Sequence, residues 1–97
     1  MIVVRFTSEA MHVEGHATRG KKARLQVCAA VSTLMIGLQF YLREKQPLGV
    51  VPFSAWGSEA TFVLLALCKL AIDHPGNVRV RSLPKWLSRD LLHLPKR

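Results

Sequence analysis

Cysteine is the first thing this chain has little of. Cys28 and Cys68 are the only two among 97 residues, and neither belongs to a CxxC pair. That excludes the disulfide framework of small secreted domains. Both thiols lie in apolar, helix-like stretches and read as reduced thiols of a cytoplasmic protein. Acidic residues are also sparse: six Asp and Glu face 14 Lys and Arg, a formal charge of +8. Such an imbalance favours anionic partners, such as RNA, the ribosome surface or an acidic substrate, and carries no information about fold. Aromatics make up only 7% of the chain. Their order shows no RNA-binding motif and no stacking platform.

Long apolar runs are missing too. Residues 26–42 carry no formal charge over 17 positions but include Gln26, Ser32, Thr33, Gly37 and Gln39. A spanning helix needs roughly 20 predominantly apolar residues. The second apolar stretch, 60–72, is shorter and contains Lys69. Membrane insertion is therefore not expected, and the alternating start Met1-Ile2-Val3-Val4-Arg5-Phe6 is not a signal peptide. His12, His74 and His93 are scattered, and no Cys and His pair has metal-ligand spacing, so neither zinc nor another cofactor is expected. A glycine-rich phosphate loop, a Ser-His-Asp elbow, internal repeats and low-complexity linkers are all lacking.

What is present describes one small domain over 1–97. Hydrophobic residues form 49% of it, enough for a core. Ile2, Val4 and Phe6 alternate with Val3 and Arg5, and Met11, Val13 and Gly15 alternate with His12, Glu14 and His16. Two strands with this period, separated by Thr7-Ser8-Glu9-Ala10, predict a hairpin. Residues 17–24, with Arg19, Gly20, Lys21, Lys22 and Arg24, predict a mobile basic loop. A long helix is expected from Leu25 or Gln26 to about Arg43, stopped by Gln46, Pro47 and Gly49. Val50, Val51 and Phe53 around Pro52 predict a short edge strand. Ser58 as N-cap with Glu59 in the first turn opens a second helix ending near Asp73. After His74-Pro75-Gly76-Asn77, Val78 and Val80 alternate with Arg79 and Arg81 as a last strand. From 84 to 97, Trp86, Leu87, Leu91, Leu92 and Leu94 interleave with Lys85, Arg89, Lys96 and Arg97, which predicts an amphipathic tail. The fold class is therefore α/β (α+β): a mixed or antiparallel sheet of about four strands with two long apolar helices. Both helices are apolar around most of their circumference, which predicts a homodimer.

Cys28 is the candidate nucleophile. Near the start of the long helix, unpaired N–H groups and the positive end of the helix dipole favour a thiolate, and the basic loop adds to that potential. The Cys28 N–H and its neighbours would serve as oxyanion donors. His16 closes the preceding strand twelve residues earlier. A histidine beside a cysteine is the minimal set for thiol nucleophilic catalysis. Cysteine is also among the most buried residue types, and a Cys–His spacing of this kind is common, so spacing alone selects neither reading.

The motif around the pair is more specific. Gly15-His16-Ala17, then Gly20, then Val27-Cys28-Ala29-Ala30-Val31-Ser32 resembles the signature of the ribosomal-processing cysteine protease family. The likeness runs through about Ser82, taking in the first strand, both apolar helices and the His74-Pro75 break. It implies a cytoplasmic, homodimeric hydrolase with a Cys28–His16 dyad. Such a thiol protease cleaves a short N-terminal extension from a large-subunit ribosomal protein, or a phage capsid or scaffold protein. Gly15, Ala17, Gly20, Ala29 and Ser32 are carried over as substrate-binding or supporting positions. The family places an acidic residue three positions before the cysteine, where this chain has Leu25. Leucine neither caps a helix nor orients a dyad, and Glu14, two residues from His16, is the candidate substitute. The competing function is a catalytically impaired relative whose basic surface binds RNA or the ribosome.

Overall fold

The computed structural model describes residues 1–42 and 47–87. The alternating N-terminal residues form β1 (Ile2–Phe6), which turns back into β2 (Ala10–Gly15). Thr7 Oγ1 accepts from the N–H groups of Glu9 and Ala10 at 3.3 and 3.1 Å, a local turn of the kind serine and threonine favour. Then come α1 (Lys21–Gln39), β3 (Val50–Pro52), a single 3-10 turn (Phe53–Ala55), α2 (Ser58–Asp73) and β4 (Val78–Arg81). The strand order is β3-β2-β1-β4. β1 pairs antiparallel with β2 and parallel with β4, and β2 pairs antiparallel with β3. This is the expected α+β arrangement, a four-stranded mixed sheet with two helices. Pro52 lies on an edge strand, where its missing N–H breaks no central ladder.

Register decides which side chains enter the core. Ile2, Val4, Met11, Val51 and Val78 share one face and are all buried. Against them α1 sets Val27, Val31, Met35 and Leu38, and α2 sets Ala60, Val63, Leu64 and Leu67. Spacings of three and four put each set on one helix face. On the other side of the sheet Arg5, Glu14, Arg79 and Arg81 are exposed. Among the described residues no helix is long and apolar enough to cross a membrane.

Several boundaries differ from the sequence reading. α1 begins at Lys21, four residues before Leu25, and the Arg24 N–H already donates to the Gly20 carbonyl at 2.8 Å. The loop is therefore only 17–20, and Lys21, Lys22 and Arg24 are helical. The helix closes at Gln39 in a tightened turn, with Phe40, Tyr41 and Leu42 N–H groups donating three residues back. α2 is capped by Gly57 rather than Ser58, and its Thr61 N–H donates to the Gly57 carbonyl. Four aromatics from separate parts of the chain gather at one end of the sheet. Phe53 stacks on Phe6 at 6.5 Å, and Trp56 and Trp86 meet Phe53 edge-on at 5.7 and 5.1 Å. Residues 85–87 are helical and Leu87 is fully buried, while the rest of the expected amphipathic tail, 88–97, lies outside the described residues.

Candidate functional site

The site is built where β2 stops. Gly15 has φ +91, and a Cβ there would run into the Met1 carbonyl oxygen. Glycine permits both the left-handed turn and the close backbone approach. His16 leaves the sheet immediately after it and is exposed, while Ala17 is buried. Asn77 then fixes the loop. Only 4% exposed, its Oδ1 accepts from the N–H groups of Thr18 and Arg19 at 3.1 and 2.9 Å, and its Nδ2 donates to the Arg19 carbonyl at 3.0 Å. Gly20, φ +75, turns the clamped loop into α1.

His16, Cys28 and Ser32 meet around a cleft of about 290 Å³. Ile2, Val13, Val31, Met35 and Leu48 give it an apolar lining, and Gly15 and Gly49 line it as well. Gly49 presses on β2: its carbonyl accepts the Val13 N–H at 2.7 Å, and at φ +93 its Cβ would lie 2.6 Å from the Val13 carbonyl oxygen. Ser32 follows Cys28 by one turn on the same helix face. Its neighbour Thr33 instead donates its hydroxyl to the Ala29 carbonyl at 2.8 Å.

Three expectations about the site are corrected. Cys28 is the eighth residue of α1, not in its first turn. Its N–H falls within the helical ladder and is not a free oxyanion donor, and the dipole's influence is concentrated in the first turn. Glu14 does not line the cleft. Its carboxylate accepts from Arg5 Nε at 2.9 Å and lies 2.8 Å from an Arg5 terminal nitrogen, on the opposite side of the sheet. The strict alternation that placed Glu14 beside His16 ends at Gly15, where positive φ breaks the strand. Ala29 borders the groove between α1 and α2, not the cleft. Leu25 is 67% exposed and stands inside α1, so it occupies no capping position. Asn77 was missed because its partners lie 58 and 59 residues away.

The two thiols sit in different surroundings. Both thiols are half-buried and each borders a cleft, but burial pushes the Cys68 thiol above its ordinary range. Since the thiolate is the reacting form, iodoacetamide near neutral pH should modify Cys28 before Cys68, as read by peptide mapping. Equal or inverted labelling would remove the case for a distinctive thiol at position 28. Among the described residues no group of three His, Cys, Asp or Glu side chains is placed to hold a metal. Comparison of the chain with family models, curated proteins and solved structures returns no match.

Proposed function

We propose that the chain is a cysteine endopeptidase with Cys28 as nucleophile and His16 as proton carrier. The observation that supports this is convergence: a strand end and a mid-helix position, twelve residues apart, line one apolar cleft together with Ser32. The motif resemblance supplies the reaction. His16 takes the thiol proton, the sulfur attacks the scissile carbonyl carbon, and the protonated imidazole gives its proton to the leaving amine. The C–N bond breaks and a thioester forms. Water, deprotonated by His16, then hydrolyses the thioester and restores the thiol. This thiol chemistry uses no cofactor. The substrate class follows the resemblance, an N-terminal extension of a large-subunit ribosomal protein or a phage capsid or scaffold protein.

The test is incubation with a peptide spanning the family's cleavage site. Wild type should cleave it and Cys28→Ala should not. Cleavage by both variants, or by neither while the fold is intact, overturns the reading. Leu25→Asp adds a graded arm. Position 25 is one helical turn before Cys28, and such neighbours have Cβ atoms about 5–6 Å apart. A carboxylate there should raise cleavage at least roughly tenfold by orienting the dyad, equivalent to about 1.4 kcal/mol of barrier.

The enzyme is further proposed to be a homodimer. A groove of about 510 Å³ between α1 and α2 is lined mainly by Ala29, Ala30, Leu34, Ala66 and Leu70, together with Thr33, Lys69 and Asp73, and Ile36, Phe62 and Ile72 are exposed on the helices. Apolar helix surface of this kind is what a second copy would cover. Sedimentation at micromolar concentration should give the dimer mass, and a monomer would contradict the proposal.

A further inference from the structure

Among the described residues both helices cover one face of the sheet and leave the other open. We propose that this open face binds single-stranded RNA through its phosphates, independently of the cleft. In register, Arg5 of β1 lies between Arg81 of β4 and His12 of β2, and Arg79 lies beside Val3. Three guanidinium groups and an imidazole from three strands thus share one surface. Among the described residues its single acid is Glu14, which is already paired with Arg5. Among the described residues no acid forms an ion pair with Arg79 or Arg81.

Neighbouring strands lie about 4.7–4.9 Å apart, so like charges in register on adjacent strands repel one another. Arg5 and Arg81 form such a pair, and a phosphate between them would relieve the repulsion with charge-assisted hydrogen bonds. The shape selects the kind of nucleic acid. Four strands spaced about 4.8 Å apart extend roughly 14 Å between the outer two, more than a B-DNA major groove of about 12 Å admits. A pleated platform suits an unpaired strand laid across it. Among the described residues no Phe, Tyr or Trp lies on this face, so contact is mainly with the backbone and is sequence-tolerant. A protein partner would be expected to find aromatic or large apolar anchors at the centre of its interface, and among the described residues this face offers none.

The test is fluorescence anisotropy of the full chain with a labelled single-stranded RNA of mixed sequence, titrated with salt. The double variant Arg79→Gln/Arg81→Gln should weaken binding at least tenfold. Losing two phosphate contacts at about 0.7 each, it should lower the slope of log K against log salt by about 1.4. Lys21→Gln/Lys22→Gln removes the same charge from the start of α1 and should change affinity less than threefold. Glu14→Gln removes the acid, frees Arg5 and should tighten binding. Equal losses from both double variants would show diffuse attraction and overturn the assignment, as would absence of binding by the wild type. Stronger competition by duplex DNA or polyglutamate than by unlabelled RNA would assign the face to a different partner and equally overturn it.

Discussion

Asn77→Ala should lower the unfolding free energy by about 2–3 kcal/mol, the scale expected when a buried hydrogen-bonding side chain is deleted and its partners lose their bonds. Three backbone groups are affected: the N–H groups of Thr18 and Arg19 and the Arg19 carbonyl. Urea denaturation with an unchanged m-value would report it as a shift in midpoint. Asn77→Asp keeps the acceptor and loses only the donor to Arg19, so its cost should be smaller. On the endopeptidase reading, turnover should also fall at least roughly tenfold in the alanine variant. His16 enters directly from the clamped loop, and catalytic geometry is sensitive to displacements near 1 Å. A midpoint within error of wild type would show that the clamp is dispensable.

Gly15→Ala should be similarly costly, by about 2–5 kcal/mol. Positive φ costs a non-glycine residue roughly 1–2 kcal/mol, and overpacking adds typically 1–3 kcal/mol. The added methyl would meet the backbone carbonyl of Met1, which cannot rotate aside as a flexible side chain could. Gly37→Ala is the internal contrast. That glycine lies within α1 with open space where a Cβ would stand, so alanine there should stabilise by about 0.8–1 kcal/mol through helix propensity. Opposite shifts in melting temperature for the two variants would establish that position, not residue type, sets the effect. A neutral Gly15→Ala would mean the Met1 segment yields.

The strands and α2 were legible because their signals are local. Period-two alternation marks β1, β2 and β4, and Pro52 marks an edge. Ser58–Glu59 and His74–Pro75 bracket α2 to within a residue at its start. The start of α1 was not legible, because it depends on Gly20 and on a side chain nearly sixty residues away. That one error moved Cys28 from a helix terminus to a helix interior and removed the oxyanion reading tied to it. The convergence of His16, Cys28 and Ser32 on one cleft was foreseen from the motif. Glu14 was misdirected because alternation was carried one residue too far, past a glycine that ends it. The aromatic cluster was invisible for a plainer reason: Phe6, Phe53, Trp56 and Trp86 are near one another only after the sheet forms.

The pairing of β1 has a bearing on how the chain reaches this state. One side of β1 is closed by β2, its neighbour in a tight hairpin, and the other by β4, with Ile2 opposite Val78. The first contact closes a short loop and forms on a microsecond scale. The second must await most of the chain, and non-local pairings of this kind slow folding. On a ribosome emitting about 5–20 residues per second, β1 therefore presents a bare hydrogen-bonding edge for several seconds before its second partner is made. Unpaired edges template association with other chains, and charges on a strand blunt it. Arg5 is the one charge β1 carries, so replacing it with an apolar residue should show first in the yield of folded protein, before any change in the finished structure.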